Sequence, residues 1–166
     1  MIIWKKQKKR GEILTKYEEM IKENPDVEVI ERDFNSDRIN GLYSGGIIAI
    51  NRNLSTADKT GTMAEELGHH YTTYGNIIDV HSTANRKQEL KARIWGYNKV
   101  IGLQGLIKAF ENHCETLYDT AEFFQVTPEY LKDAILAYQN KYGNYVELDN
   151  YIILFNYPGV GVMKKF

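Results

Sequence analysis

The segment from Ser55 to Tyr74 constrains the fold most, because its pattern predicts one long helix that carries both core residues and polar functional residues. Ser55 is suited to cap the amino terminus of this helix, with Asp58 three residues later, and Gly75 is suited to end it. The apolar positions of the segment recur at helical spacing and form one stripe: Ala64, Leu67, Tyr71 and Tyr74. We therefore expect this helix to pack one face against a core.

A candidate metal site lies on the same predicted helix. Glu65 and His69 are four residues apart, which places them one turn from each other on the same side of the helix. A carboxylate and an imidazole at this spacing can hold one cation, and Glu66 is placed to reach a water molecule on that cation. The arrangement is that of the H-E-x-x-H zinc helix with Glu as the first ligand, and carboxylate oxygens are established zinc ligands.

A third ligand is expected from the next helix, which the pattern predicts over residues 85–99. Glu89 follows His69 at a distance along the chain that accommodates the end of one helix, a loop at 76–83 and the start of another. Small residues are placed to let the two helices pack closely: Gly68, Ala92 and Gly96. Because Gly costs about 1 kcal/mol in a helix interior, Gly68 indicates that another backbone lies against it.

Other interpretations of these residues stay open at this point. Glu89 also has the spacing of a surface ion pair with Arg93. His70 points roughly 100° away from His69 around the helix, which favours a packed histidine over a metal ligand. His81, in the predicted loop, is the other histidine that we consider as a ligand.

The remaining segments predict a mixture of helices and strands. Further helices are predicted over 11–24, over 103–114, and in two pieces of 116–142 that meet at 126–128. Strands are predicted over 27–34, 47–50, 145–148 and 151–155, whereas 41–46 is interpreted as turn-rich and the last residues as a tail. This order indicates an α+β fold that is mostly helical and has a small antiparallel sheet.

Composition and charge exclude several classes of protein. The chain has 166 residues and a net charge of -1, so it is not a strongly basic nucleic-acid-binding protein, and the basic residues at 5–10 are interpreted as a solvated segment. The helices within 116–142 lack clustered basic charge, so direct nucleic-acid binding is not expected.

The single cysteine is Cys114, which we interpret as an ordinary thiol. One cysteine excludes an intrachain disulfide and fits a reducing compartment. With no signal peptide and no run of 18 apolar residues found, we expect a cytoplasmic protein without membrane contact.

Two blocks of the sequence resemble one known family. The segments 62–73 (TMAEELGHHYTT) and 85–93 (NRKQELKAR) are similar to the ImmA/IrrE family of metallopeptidases, and the match is closest to the branch associated with phages and mobile elements. The resemblance covers roughly residues 40–125. It implies a compact zincin-like fold with a two-helix metal site. A length of 166 residues is ordinary for one domain, so we expect a single domain over 1–166, with a metallopeptidase-like core at about 11–125 and C-terminal helices and a hairpin at about 126–166.

The resemblance also implies a chemistry. Carried onto this chain, it gives Glu65, His69 and Glu89 as ligands of Zn²⁺ and Glu66 as the general base. Most members of the family have His where this chain has Glu65. Members are implicated in cleaving helix-turn-helix repressors of prophages and mobile elements, so a protein partner of this kind is expected.

Two functions therefore compete, an active metallopeptidase and a non-catalytic, peptidase-like module that recognises a regulator with its metal weakly bound or absent. In the peptidase, the Ile47–Ile50 strand is expected to act as a sheet edge to which an extended substrate adds. The oligomeric state stays open.

Overall fold

The computed structural model describes residues 2–3, 13–36, 38–72 and 83–166, which fall into two compact units, Met1–Gly96 and Tyr97–Phe166. The predicted α+β class is confirmed, with a mostly helical chain and a small antiparallel sheet. The single domain expected for 1–166 stays a prediction. The basic segment at 5–10, Tyr74 and His81 lie outside the described residues.

The first unit contains a small sheet and the helices of the candidate site. Its elements are β1 (Ile2–Ile3), α1 (Lys16–Glu23), β2 (Glu28–Arg32), β3 (Gly41–Ser44), β4 (Ile47–Asn51), α2 (Thr56–Thr72) and the greater part of α3 (Thr83–Val100). α2 and α3 occur where the sequence predicts them. Ser55 caps α2, since its Oγ accepts a hydrogen bond of 3.1 Å from the N–H of Asp58.

α1 begins later than the pattern of apolar residues predicts. The expected start was near residue 11, but the helix starts at Lys16 because Thr15 and Glu18 form a capping box before its first turn. The Thr15 N–H donates to Glu18 Oε2 at 2.9 Å, and the Glu18 N–H donates to Thr15 Oγ1 at 3.3 Å. Ile13 lies outside the helix, 91% exposed, so its apparent helical spacing was misleading.

The sheet of the first unit is mixed, in the order β1-β2-β4-β3. β2 and β4 are parallel, with Glu28 opposite Ile47, although we expected these strands to be antiparallel. Residues 41–44, interpreted from sequence as part of a turn, form β3 and pair with β4 in an antiparallel hairpin. β4, the Ile47–Asn51 strand, therefore lies between two neighbours, and the prediction that it acts as a sheet edge was wrong.

β3 is the edge strand on that side of the sheet. Hydrogen-bonded and non-bonded residue pairs alternate along an antiparallel ladder, and the Asn51 N–H donates to Asn40 O at 2.8 Å. Counting from that bonded pair, the backbone N–H and C=O groups of Gly41 and Tyr43 point away from β4. The edge next to α2 thus presents main-chain polar groups.

The core of the first unit forms between α1, the sheet and α2. Residues of all three elements are fully buried: Met20, Ile48, Ile50, Met63, Ala64 and Leu67. Ala64 and Leu67 belong to the stripe predicted from the sequence, and their burial fixes the rotation of α2. The residues between them on the helix surface, among them Glu65 and Glu66, are left half-buried.

The second unit contains three helices and a three-stranded antiparallel sheet. Its elements are α4 (Gly102–Glu111), α5 (Leu117–Phe124), α6 (Pro128–Tyr142), β5 (Tyr145–Leu148), β6 (Tyr151–Asn156) and β7 (Gly159–Lys164). Thr127 caps α6 and Pro128 is its first residue, as predicted. The residues interpreted as a tail instead form β7, and α4 ends three residues earlier than expected, just before His113 at a φ of 60°. In the described part of the chain, every helix is too short or too polar to cross a membrane.

Candidate metal centre

Two glycines bring α2 and α3 into backbone contact. A Cβ at Gly68 would collide with the backbone of Ala92, whose carbonyl carbon would lie 2.7 Å from it. A Cβ at Gly96 would lie 2.9 Å from the carbonyl oxygen of Ala64, closer than real Cβ contacts come. The close packing of the two helices that Gly68 indicated from the sequence is therefore present. Each helix contributes one glycine that lies against the backbone of the other.

This contact places three potential ligands together. Glu65 and His69 lie on α2 and Glu89 on α3, and one ligand atom from each lies within 4.8 Å of the other two. His69 Nε2 is 3.4 Å from Glu89 Oε2. All three side chains are half-buried, and no other group of three such residues is found among residues 13–36, 38–72 and 83–166.

The donor set fits a divalent cation. Ligands on one tetrahedral zinc ion lie about 3.4 Å apart, because each bond is about 2.1 Å long. The distance between His69 and Glu89 already has this value, and the full set needs only a small side-chain contraction. Two carboxylates and one imidazole are also the ligand types that zinc accepts, and three protein ligands leave a coordination position open for water or substrate.

Arg93 joins the two carboxylates of the cluster. Its Nε–H donates to Glu89 Oε1 at 2.9 Å and to Glu65 Oε1 at 3.2 Å. The pair with Glu89 is the i,i+4 ion pair that the sequence left open as an alternative. The structure contains both arrangements at once, since Glu89 faces Arg93 with one oxygen and His69 with the other.

Burial raises the pKa of the Glu65 carboxyl above its usual range. Arg93, the next largest influence, acts in the opposite direction, and the nearby Glu89 carboxylate adds to the rise. The cluster is therefore a place where negative charge is crowded and partly removed from water. A cation placed among these groups relieves both penalties.

Glu66 projects from α2 toward the edge strand β3. Burial, together with the charge of Glu65, raises the pKa of Glu66 to about 7, while a hydrogen bond from the backbone N–H of Tyr43 works against the rise. A Cβ at Gly41 would lie 3.1 Å from Glu66 Oε1 and 2.5 Å from Thr62 Cγ2, so only a glycine fits against these side chains. A carboxyl with a pKa near neutrality is suited to take up and release a proton.

His70 lies on another side of α2 from His69. Its Nδ1 is 3.0 Å from the hydroxyl of Tyr43 and its Nε2 is 3.4 Å from Asp26 Oδ2. The ring also makes an edge contact with Tyr71. His70 thus has the packed position that its rotation around the helix predicted, and it connects α2 to β3.

The surroundings of Tyr71 and Cys114 bear on two further interpretations of the sequence. Tyr71 donates to Asn24 Oδ1 at 2.7 Å and stacks on Trp95, but it is 42% exposed, so the prediction that it packs into the core was wrong and it lies on the surface of the unit. Desolvation raises the pKa of the Cys114 thiol, which keeps it protonated and disfavours a role as a nucleophile.

The sequence did not identify two contributors to the site. These are the N–H of Tyr43 and the missing side chain of Gly41, both in a segment interpreted as a turn. A backbone donor cannot be recognised from the sequence, because every residue except proline has the same N–H. The spacing of Arg93 on the predicted helix indicated its contact with Glu89. It did not indicate the second contact of Arg93, with Glu65 on α2.

Comparison with known proteins identifies a family for the chain. The model of the peptidase family M78, described as the IrrE N-terminal-like domain, matches residues 22–136, which include α2, α3 and the whole cluster. Neither the curated proteins nor the solved structures contain a match. Because the matched region covers more than half of the chain and contains the clustered acidic and histidine residues on two packed helices, the chain belongs to the IrrE N-terminal-like family of peptidases.

Proposed function

We propose that the protein is a zinc-dependent endopeptidase that cleaves a cytoplasmic protein substrate. The observation that carries the proposal is the convergence of Glu65, His69 and Glu89 within 4.8 Å, with Glu66 one residue from the first of them. Membership of a peptidase family supports the reaction class. The proposed ligands are Glu65, His69 and Glu89, and the proposed general base is Glu66.

The protein's own residues have separate tasks in this mechanism. When bound, the ion supplies Lewis acidity toward water and toward the peptide carbonyl oxygen. Glu66 takes a proton from the attacking water and delivers it to the leaving amine nitrogen as the C–N bond breaks. The hydrogen bond from the Tyr43 N–H holds the Glu66 carboxylate beside β3 while it does so.

The position of Glu66 next to an edge strand suggests how the substrate lies. The N–H and C=O of Gly41 and the C=O of Tyr43 point away from β4 and offer one main-chain donor and two acceptors to an extended peptide, while the Tyr43 N–H donates to Glu66. A peptide added to β3 would place a backbone amide near Glu66, because Glu66 already accepts from that strand. Proline placed in the substrate at the paired positions should abolish cleavage, and unchanged cleavage would remove the strand-addition step.

The resemblance to the phage-associated branch of ImmA/IrrE proteins supports one class of substrate. We take it to be a small helix-turn-helix repressor. Main-chain pairing to β3 requires an extended segment of this target.

The experiment that tests the function compares the wild type with Glu66→Gln. Each protein is purified, its zinc content is measured, and each is incubated with candidate helix-turn-helix repressors whose products are identified by mass spectrometry. We expect zinc in both proteins and cleavage by the wild type alone. Glu66→Gln keeps the volume and hydrogen-bonding capacity of the side chain, so a loss of cleavage with retained zinc assigns the proton transfer to Glu66.

The same experiment tests the competing function, a binding module that recognises a regulator without cutting it. The observation behind this alternative is Glu65, which replaces a nitrogen ligand with an anionic oxygen. A wild-type protein that holds no zinc and binds a repressor without cleaving it, together with a Glu65→His variant that takes up zinc, would establish the binding module.

A further inference from the structure

Arg93 contacts two of the three proposed ligands through one N–H group. The donor, Nε, lies 2.9 Å from Glu89 Oε1 and 3.2 Å from Glu65 Oε1, so its hydrogen is shared between carboxylates on different helices. The arginine side chain is 49% exposed, and Glu65 and Glu89 are 35% and 41% exposed. An ion pair with this exposure contributes little to folding stability. Its geometry at the cluster therefore needs another explanation.

We propose that Arg93 is a positioning residue for the metal centre, which orients Glu65 and Glu89 so that each keeps one oxygen on the guanidinium group and offers the other to the ion. The proposal rests on the proposed metal-dependent function. Glu89 already shows the division, with Oε1 toward Arg93 and Oε2 3.4 Å from His69 Nε2. A fixed carboxylate presents a single oxygen at a defined angle, which a freely rotating carboxylate does not.

The charge of the cluster makes such a group necessary. Glu65 and Glu89 bring two negative charges into a small half-buried volume, and Glu66 is a third carboxyl beside them. Unlike a neutral imidazole in the first ligand position, Glu65 would be repelled by Glu89 and driven apart from it. One guanidinium group placed between the two carboxylates opposes that repulsion and keeps both within reach of one ion.

Arginine suits this task better than lysine would. Its guanidinium group is planar, carries its charge at every accessible pH and offers donors in a fixed arrangement. Lysine would place a point charge on a flexible chain and would lack the donor at the Nε position. Groups that hydrogen-bond to metal ligands typically affect metal affinity by about 10- to 100-fold.

The test measures metal affinity directly, without peptidase activity. Zn²⁺ affinity is determined by competition with a chromogenic chelator for the wild type, Arg93→Met and Arg93→Lys. Lys91→Met serves as the matched control, because it removes one positive charge from an exposed position on the other side of α3. The visible absorption spectrum of bound Co²⁺ reports the ligand geometry in each protein, and near-UV circular dichroism of the metal-free proteins reports folding.

We expect Arg93→Met to weaken Zn²⁺ binding by about 10- to 100-fold and to alter the Co²⁺ spectrum, while Lys91→Met leaves both unchanged. Arg93→Lys should also bind more weakly than the wild type, because charge alone does not orient two carboxylates. Affinity in Arg93→Met equal to or tighter than that of the wild type would overturn the positioning role while leaving the metal centre intact. A folded wild type that takes up neither ion would overturn the metal centre itself, and the role of Arg93 with it.

Discussion

The backbone N–H of Tyr43 donates a hydrogen bond to the carboxylate of Glu66. A residue of the edge strand β3 thus holds a side chain of the metal-site helix α2, and the two elements meet where Gly41 leaves room for Glu66. The position of the proposed base is therefore set by a strand that contributes no ligand to the cluster.

Gly41→Ala should impair catalysis without impairing metal binding. The added Cβ would press on Glu66 and Thr62 and displace the carboxylate from its hydrogen bond to Tyr43. We expect kcat to fall at least about 10-fold, because general acid–base groups contribute about 100- to 10,000-fold, with the zinc content unchanged. Leu42→Ala is the control, since Leu42 is the neighbouring residue of β3 and is 57% exposed. Equal losses in the two variants would contradict the role assigned to Gly41.

The stability of the metal-free protein should fall as the pH rises toward neutrality. The pKa of Glu66 is about 7 in the folded protein against an ordinary value of 4.5, so the folded state binds more protons between these limits. Linkage then requires a stabilisation that is complete below about pH 4.5 and is lost as the pH rises through 7, at most about 3 kcal/mol. Urea unfolding at several pH values in the presence of a chelator measures the slope, which should be shallower in Glu66→Gln. Identical slopes in the two proteins would show that Glu66 is not the group responsible.

Gly68→Ala should separate α2 and α3, the two helices that carry the proposed ligands. Alanine favours a helix over glycine by about 1 kcal/mol, yet its Cβ would overlap the backbone of Ala92, which cannot rotate away. We expect the free energy of unfolding to drop by about 1–3 kcal/mol and Zn²⁺ affinity to drop with it. Gly161→Ala provides a comparison, because a Cβ there would meet Leu154 at an ordinary 3.8 Å. A Gly68→Ala protein as stable as the wild type would mean that α2 and α3 are not held by this contact.

Thr127→Ala should destabilise the second unit at the start of α6. The Thr127 hydroxyl accepts a hydrogen bond of 3.1 Å from the N–H of Tyr130, and its loss leaves that donor without its cap. The expected cost is about 1 kcal/mol, measured by urea denaturation. Thr127→Ser keeps the hydroxyl and should retain most of the stability, so a serine variant as unstable as the alanine variant would argue against the cap.

The elements that local sequence determines could be predicted from it. Ser55 and Thr127 mark helix starts through their own hydrogen bonds, and the hairpin around Asp149 forms where its turn residues predict. β3 was missed because Gly41 and its neighbours are typical of turns, and they adopt a strand only because β4 pairs with them. The parallel pairing of β2 with β4 depends equally on distant segments, which no local pattern records.

Parts of the candidate site could likewise be predicted from the sequence, and other parts could not. The spacing of Glu65 and His69 on one helix, and the small residues Gly68 and Gly96, were enough to predict that Glu89 would approach them. The contact between Tyr43 and Glu66 was not predictable, because a main-chain donor is the same in every residue except proline. The convergence of Glu65, His69 and Glu89 could thus be inferred from side chains, whereas the hydrogen bond that supports Glu66 could not.

The backbone contacts of Gly68 with Ala92 and of Gly96 with Ala64 have a consequence for how the site can change. At both points the helix axes are as near as backbone atoms permit, so the spacing of the two helices is independent of the residues proposed to bind the ion. In the proposed metal centre, exchanging a nitrogen donor for an oxygen donor at position 65 would then alter the hardness and the charge of the coordination sphere while the helix spacing keeps its dimensions. Metal preference in such a scaffold can be retuned one donor at a time, without repacking the protein around it.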